Sequence, residues 1–253
     1  MACSPNFTDW GDKFPVDMPL ASAQRLRRIN ASLPVLGVEI APERVAAAQS
    51  FVDELTDFRL GGFNLPLSPR ADGSEETVRA IRAFNVLRQY EEGEVAGAWS
   101  AMARSLLPGG LLIEGTSEPF GRVWVANVLR RVGGEMGSGG SLDARGAAGG
   151  WGGVSPPCRQ EGLLFSTNFR LGFDPAQFQA VLPKNLIHRM APGEPVYALL
   201  ETWKRAARET MAARVWGTRQ WFVATARRLA ASGYPDVLRP KLLSRGYLLV
   251  RQF

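Results

Sequence analysis

The chain has 253 residues, 45% of them hydrophobic, with only two cysteines and one histidine. This size and composition suit one large α/β domain, and the Cys and His counts exclude a disulfide scaffold and a zinc module. No apolar stretch approaches the roughly 20 residues of a membrane span, and the first residues lack a basic region followed by an apolar one. We therefore expect no metal, no membrane partner, no secretory signal and a cytoplasmic location.

The net charge is +6, and the isoelectric point is about 9.8. A basic balance of this kind is compatible with a nucleic-acid partner. However, 26 of the 30 basic residues are Arg, and they look scattered along the sequence. Because a GC-rich genome also enriches Arg, Ala and Gly, nucleic acid is the less favoured partner.

In the first half of the chain, strand patterns alternate with helix patterns. The predicted elements are a strand at 6–10, a helix at 20–29, strands at 35–40 and 58–60 separated by a helix at 42–55, a strand at 78–87, a helix at 91–106 and a strand at 111–116. Pro108, Gly109 and Gly110 are expected to end the last of these helices. Such alternation predicts a mostly parallel sheet with right-handed crossovers.

The second half begins with a glycine-rich stretch, in which ten of the residues 133–153 are Gly. It cannot bury enough apolar area to offset its ordering entropy, so a flexible insertion is expected. Beyond it we predict a strand at 162–171, helices at 173–180, 195–213 and 219–231, and a terminal strand at 246–253. The predicted parts are a core at 1–132, an insertion at 133–160 and a C-terminal part at 161–253 that completes the sheet and adds helices.

The segment at 35–45 carries the strongest functional signal. A continuous apolar run, typical of a strand buried on both faces, ends in the single acidic residue Glu39, and Pro42 then suits the first turn of a helix. Open α/β sheets bind ligands at the carboxyl ends of their strands. Glu39 is therefore a candidate for holding ribose hydroxyls; the alternative is a solvated Glu at the end of a buried strand.

Four places together resemble the class I S-adenosylmethionine-dependent methyltransferases. They are Asp9-Trp10-Gly11 after the first strand, Val38-Glu39-Ile40 at the end of the second, Asn85 to Tyr90 after the fourth, and the Pro-Gly-Gly turn within Leu107 to Ile113. The resemblance covers residues 6–120 well and the C-terminal half loosely. The run 82–90 also resembles a bacterial-type subgroup of the family.

The resemblance implies a Rossmann-like α/β fold: a seven-stranded, mostly parallel sheet with an antiparallel last strand and helices on both faces. It also implies S-adenosyl-L-methionine as cofactor. By position, Asp9 and Gly11 would line its methionine end, Glu39 its ribose, Gly62 and Phe63 its adenine, and Asn85 the region of the sulfonium. The implied activity is methyl transfer to a small molecule or a protein side chain.

One departure from the family pattern lies after the first strand. Gly11 is followed by Asp12 and Lys13, where the family usually has a second Gly two positions on. A methyltransferase-like binding domain without catalysis is therefore one alternative, and a nucleic-acid methyltransferase is another. A nicotinamide-dependent oxidoreductase is disfavoured because no GxGxxG follows the first strand.

Candidate substrate residues follow the fourth strand, where Arg88, Gln89 and Tyr90 would stand at the mouth of the site. Asn85 and the single histidine, His188, are the catalytic candidates; the alternative for His188 is a structural hydrogen bond. Glu114 and Thr116 end the fifth strand and could also line the pocket. We expect Trp203, Trp216, Trp221 and Phe222 to pack in the core, with a stacking platform for bases as the alternative.

Overall fold

The computed structural model describes residues 2–5, 23–69, 73, 76–132, 157–170 and 172–251. Several predictions fall outside these residues and stay predictions: the first strand at 6–10, the site residues Asp9 and Gly11 with the departure at Asp12 and Lys13, and the glycine-rich insertion. The helix expected at 20–29 is described only from residue 23 and is helical over 23–27.

The described residues form one eight-stranded sheet in the order β3-β2-β1-β4-β5-β6-β7-β8. Its strands are β1 Ala2–Pro5, β2 Val35–Glu39, β3 Thr56–Leu60, β4 Val78–Phe84, β5 Leu106–Ser117, β6 Val123–Arg131, β7 Cys158–Thr167 and β8 Tyr247–Val250. The first five strands in this order pair in parallel, and β5 to β8 pair antiparallel. The α/β class and the parallel half agree with expectation, whereas the predicted number of seven strands is wrong.

The strand absent from the prediction is β6, which forms a hairpin with β5. The turn has Gly121 at φ 64°, a left-handed conformation that glycine adopts without strain. The Glu118 carboxylate accepts hydrogen bonds from the backbone N–H groups of Phe120 and Arg122 and so closes the turn. The prediction that the Pro-Gly-Gly segment separates a helix from a strand is also wrong, because β5 already begins at Leu106 and continues through Gly109 at φ 77°.

The helices connect the strands and lie on both faces of the sheet. They are α1 Pro42–Ala48, α2 Val95–Arg104, α3 Lys184–Ile187, α4 Pro195–Glu209, α5 Thr218–Ala231 and α6 Pro240–Leu243. The β2-to-β3 and β4-to-β5 crossovers run in opposite directions across the sheet, so right-handed connections put α1 and α2 on opposite faces. Two predicted helices end early, in 3-10 turns at Gln49–Phe51 and Met211–Trp216.

Two apolar clusters form the core on the α2 side of the sheet. In the first, Trp99 and Met102 of α2 pack against Leu112 of β5. In the second, α4 and α5 pack against β6, β7 and β8, with Trp203 of α4 stacked on Phe178 at a centroid distance of 5.0 Å. Phe178 lies in the 3-10 helix Pro175–Val181, where the sequence predicted a helix at 173–180.

The aromatic residues of the C-terminal part differ from one another in exposure. Trp203, Trp221 and Phe222 are buried in the second cluster, as expected. Trp216 was also expected in the core, but its side chain is 77% exposed. The reason is that residue 216 belongs to the 3-10 turn Met211–Trp216 after α4, in which no residue is buried. Among the described helices, none has both the length and the apolar character that crossing a membrane requires.

Candidate functional site

A pocket opens at the carboxyl ends of β2, β3 and β4. It lies beside the point where the strand order reverses, since β1 pairs with β2 on one side and with β4 on the other. Doubly wound sheets bind their ligands at this switch point. The pocket contains about 540 Å³ of empty space, counted to its open mouth, and its lining includes Ile40, Gly62, Phe63, Ala83, Tyr90 and Met102.

Glu39 ends β2 between Val38 and Ile40, which both line the pocket; Glu39 itself is not a lining residue and is 8% exposed. Its Oε1 accepts hydrogen bonds from the backbone N–H groups of Ile40 at 2.8 Å and Ala41 at 3.1 Å, which fixes the turn into α1. Its buried Oε2 has no hydrogen-bond partner among the described residues, although the Arg44 guanidinium lies 3.6 Å away. A buried carboxylate oxygen without a hydrogen-bonded partner is uncommon and has capacity for a donor from a ligand.

The loop after β3 forms another wall of the pocket, and Arg59 holds it in place. The Arg59 guanidinium donates to Asp57 at 2.7 Å, to the backbone oxygen of Pro66 at 2.9 Å and to Glu76 at 3.1 Å. These carboxylates raise the pKa of Arg59 above its usual value, first through the hydrogen bonds that Arg59 donates to Glu76. The bidentate contact with Glu76 keeps the loop against the sheet.

The two glycines of this loop have different roles. A Cβ on Gly61 would lie 2.7 Å from Cδ of Pro66, so loop packing requires glycine there. A Cβ on Gly62 would meet only Cγ2 of Ile40, at 3.8 Å, so the space beside Gly62 is open. Gly62 therefore leaves room at the rim of the pocket.

Two aromatic side chains also line the pocket. The rings of Phe63 and Tyr90 lie 5.2 Å apart between centroids, and both residues line the pocket. The other two predicted substrate residues, Arg88 and Gln89, are exposed and lie in or next to the short 3-10 turn before Tyr90. The structure thus brings Gly62, Phe63 and Tyr90 to one pocket, while Glu39, Arg88 and Gln89 lie outside its lining.

Asn85 follows β4 at φ 60°, a left-handed conformation that Asn tolerates better than most residues. Its backbone N–H donates to the Gly115 oxygen at 2.8 Å, and its side-chain amide both accepts from and donates to Ser117. These contacts lock the carboxyl ends of β4 and β5 together. The predicted place of Asn85 beside a cofactor sulfonium stays a prediction. Its side-chain amide already makes hydrogen bonds to Ser117.

Glu114 was expected near the pocket, but it lies in a buried polar network between the two apolar clusters. Its Oε2 accepts from Nε1 of Trp99 at 3.3 Å and from Nδ2 of Asn127 at 3.0 Å. The same Nδ2 donates to Oδ1 of Asn185, and Gln160 donates to Oδ1 of Asn127. Burial raises the pKa of Glu114 to about 7, although both hydrogen bonds act in the opposite direction. Glu114 is a structural carboxyl group with no exposure to a substrate.

His188, the other catalytic candidate, is exposed and ends the one-turn helix α3. It is not among the residues that line the pocket. Its neighbour Arg189 donates to Glu92 at 3.1 Å and so links α3 to the turn before α2. The structure therefore does not bring His188 together with Glu39 and Phe63. Thr116 is buried and likewise lies outside the pocket lining.

Sequence analysis missed Ile40, Ala83 and Met102 as pocket residues. Ile40 had a usable signal, an apolar residue directly after the strand-ending acid Glu39, and the structure shows it 54% exposed in the pocket lining. Ala83 and Met102 had none, because they belong to the apolar patterns of β4 and α2. Within the described part of the chain, no three His, Cys, Asp or Glu side chains are arranged to hold a metal ion.

Neither a protein-family model nor a curated protein sequence matches the chain. Solved structures similar to it include a Haloferax volcanii putative methyltransferase in complex with the Trm112 activator, at 18% identity over 46% of this chain and 43% of that one, with a TM-score of 0.32. Human N-acetylserotonin methyltransferase in complex with SAM is similar at 18% identity over 48% of this chain and 31% of that one, with a TM-score of 0.32. The Micromonospora echinaspora amino pentose methyltransferase CalS10, also SAM-bound, is similar at 18% identity over 49% of this chain and 66% of that one, with a TM-score of 0.29. The similar region thus spans less than half the length of the first two of these structures.

Proposed function

We propose that this protein is an S-adenosyl-L-methionine-dependent methyltransferase whose cofactor lies in the pocket beside β2, β3 and β4. The observation that carries the proposal is the buried Oε2 of Glu39 at the end of β2, which has the Arg44 guanidinium at 3.6 Å but accepts no hydrogen bond from the described residues. A ribose hydroxyl would donate to this oxygen without disturbing Oε1, which the turn into α1 already uses. A charge-assisted bond of this kind is about twice as strong as a neutral one.

The apolar part of the pocket suits an adenine ring. Ile40 and Phe63 provide faces for it, and Gly62 leaves the space between the β3 loop and Ile40 open. Asp9 and Gly11 are proposed for the methionine end and Asn85 for the region of the sulfonium, on the family resemblance. No phosphate-cradling loop is needed because this cofactor has no pyrophosphate.

When bound, the cofactor supplies a methyl group activated by a sulfonium cation. The protein's contribution is mainly to position the acceptor and to exclude water. Tyr90 stands at the pocket rim, and Arg88 and Gln89 precede it on the exposed side, where an acceptor would approach. His188 remains the candidate base only if the acceptor reaches it from outside the described pocket.

The proposed acceptor is a small molecule or a protein side chain. Two alternatives share the same pocket: a domain that binds the cofactor without turnover, and a methyltransferase acting on nucleic acid. A nicotinamide-dependent oxidoreductase remains disfavoured, because its pyrophosphate would need a glycine-rich cradle.

A calorimetric titration of the purified protein with four ligands tests the proposal. The ligands are S-adenosylmethionine, S-adenosylhomocysteine, NAD⁺ and ATP, which share an adenosine and differ in what is attached to it. Micromolar binding of the first two, with neither of the others binding, is the expected result. Absence of S-adenosylmethionine binding at millimolar concentration, or tighter binding of NAD⁺, would overturn it. A second assay incubates the protein and S-adenosylmethionine with a fractionated cell extract. Formation of S-adenosylhomocysteine would identify an active enzyme, and binding without its formation would identify an inactive binding domain.

A further inference from the structure

The positive charge of the chain is concentrated in its C-terminal helical part. Residues 184–251 carry thirteen basic and four acidic side chains, whereas the other residues carry seventeen basic and twenty acidic ones. The expectation of scattered basic residues is therefore wrong. A GC-rich coding bias would enrich Arg along the whole chain, so it does not explain an excess confined to one part.

Five exposed arginines define what we call the C-terminal basic surface. They lie on α4, on the turn after it and on α5: Arg205, Arg208, Arg214, Arg219 and Arg227. In the described part of the chain, no acidic side chain lies within ion-pair distance of any of them. The two acids of α4 are paired elsewhere, Glu201 with Lys204 and Glu209 with Arg228, although Glu209 also attracts Arg205 and Arg208 at longer range. Arginines without an ion-pair partner repel one another, so their accumulation in this part of the chain favours an anionic partner.

Aromatic rings orient two of these arginines without neutralising them. The Arg214 guanidinium lies 5.8 Å from the centroid of the Trp221 ring, and the Arg219 guanidinium lies 5.6 Å from that of Phe169. Contacts of this type are favourable at the edge of a protein and leave the N–H groups of the guanidinium available to an anion.

Between these arginines the chain exposes large apolar side chains. Trp216 is 77% exposed and Val215 is 81% exposed, and both lie on the turn Met211–Trp216 that joins α4 to α5. Trp is enriched at interfaces, where its large apolar ring contacts a partner. An exposed indole flanked by Arg214 and Arg219 is the combination on which unpaired nucleic-acid bases stack.

A groove runs beside the same turn. It contains about 1120 Å³ of empty space, counted to its open mouth, and Lys204, Arg208, Arg214 and Trp221 contribute to its lining. Asp174 also lines it, with a carboxylate that accepts a hydrogen bond from the backbone N–H of Ala176 at 2.8 Å. The groove is therefore predominantly basic and has one aromatic wall, which suits a phosphate backbone carrying bases.

We infer that the C-terminal basic surface binds single-stranded nucleic acid, with Trp216 stacking on a base and Arg208 and Arg214 contacting phosphates. An acidic protein would satisfy the arginines but gives no reason for an exposed indole among them. A duplex would offer phosphates but no unpaired base for Trp216. This inference goes beyond the proposed function and does not depend on the cofactor pocket.

Fluorescence anisotropy with labelled 20-nucleotide oligomers tests the inference on the full chain without cofactor. The probes are single-stranded RNA, single-stranded DNA, the corresponding duplexes and a poly-glutamate of equal charge. Single strands should bind most tightly, and comparison of RNA with DNA identifies the source of the strand. Equal or tighter binding of poly-glutamate, tighter binding of the duplexes, or no binding of single strands at low salt would overturn the inference.

Substitutions then locate the site. Trp216→Ala should weaken single-strand binding about tenfold, since stacking on an aromatic side chain contributes about 1–3 kcal/mol per base. The double variant Arg208→Gln/Arg214→Gln should reduce the magnitude of the slope of log binding constant against log salt concentration by about 1.4. Each lost phosphate contact lowers that slope by about 0.7 for a single strand. The matched controls are Ile29→Ala, an exposed apolar residue, and Arg25→Gln/Arg28→Gln, two exposed arginines near the helical segment 23–27. Control variants that weaken binding as much as the test variants would overturn the assignment, and thermal melting of each variant excludes unfolding as the cause.

Discussion

Asn85 and Ser117 exchange two hydrogen bonds across the carboxyl ends of β4 and β5. The Ser117 backbone N–H donates to Asn85 Oδ1 at 2.9 Å, and Asn85 Nδ2 donates to Ser117 Oγ at 3.0 Å. Because Asn85 also has φ 60°, its side chain holds a strained backbone in place. This lock sets where β4 stops and where the chain turns toward Tyr90.

Asn85→Ala should therefore destabilise the fold by about 2–3 kcal/mol, since it removes two hydrogen bonds and leaves a residue less suited to positive φ. Asn85→Gly should be less harmful by about 1 kcal/mol because glycine relieves the backbone strain. Ser117→Ala, which keeps the backbone donor, is the control and should lose about 1 kcal/mol. Urea denaturation measures all three. An Asn85→Ala variant of unchanged stability would show that the lock contributes nothing.

Glu114 predicts a pH dependence of stability. Burial raises its pKa to about 7 from the ordinary value of 4.5. As the pH rises, the unfolded state therefore loses the Glu114 proton at a lower pH than the folded state does. The contribution of this proton to the free energy of unfolding is fully present below about pH 4.5 and is lost as the pH rises through about 7. The total loss is about 3 kcal/mol. Glu114→Gln removes the titration. The difference in unfolding free energy between the variant and the parent should therefore shift in favour of the variant between pH 4.5 and pH 8. A difference that stays constant with pH would contradict the prediction.

Gly246 precedes β8 with φ 82°, and a Cβ there would lie 2.0 Å from the backbone oxygen of Thr167. Gly233 also has positive φ, at 110°, but a Cβ there would meet nothing within 4 Å. Both Ala substitutions carry the backbone strain, of about 1 kcal/mol or more. Gly246→Ala additionally forces β7 and β8 apart, so its thermal midpoint should fall well below that of Gly233→Ala. Equal midpoints would argue against the close approach of Gly246 to Thr167 where β7 and β8 meet.

Gly62 offers a steric test of the pocket. Gly62→Leu should fill the open space beside Ile40 and weaken S-adenosylhomocysteine binding at least tenfold, with little change in the thermal midpoint because residue 62 is exposed. The matched control is Gly97→Leu on the exposed face of α2, where a Cβ would meet nothing within 4 Å. Calorimetry on both variants gives the comparison. Unaltered binding by Gly62→Leu would place the ligand elsewhere.

Local pattern was sufficient for β2, β3 and β4 in the parallel half of the fold. The run that forms β2 is short and apolar with turn residues at both ends, and Glu39 follows from the same pattern. β6 was missed, although Val123 to Leu129 is rich in β-branched residues and follows a turn with Gly121. The family resemblance implied a sheet in which only the last strand is antiparallel, so no antiparallel strand was expected directly after β5.

Other features depend on residues far apart in the sequence, which local patterns do not reveal. Glu114 is buried because Asn127 and Trp99 surround it, and nothing near residue 114 indicates these partners. Trp216 lies between the predicted helices at 195–213 and 219–231, and its exposure follows only from the 3-10 turn Met211–Trp216, in which no residue is buried. The same turn joins α4 to α5, and these three elements carry the five arginines of the C-terminal basic surface.

The affinity of S-adenosylhomocysteine for Glu39 variants is the most direct test of the cofactor site. Glu39→Gln can still accept from the N–H groups of Ile40 and Ala41 but loses the charge of Oε2, and Glu43→Ala removes a nearby exposed acid at the start of α1. Calorimetry should show binding weakened at least tenfold, about 1.4 kcal/mol, by Glu39→Gln and unchanged by Glu43→Ala. Equal affinities for the parent and Glu39→Gln, with both proteins folded, would contradict the assignment of Glu39 and with it the proposed cofactor site.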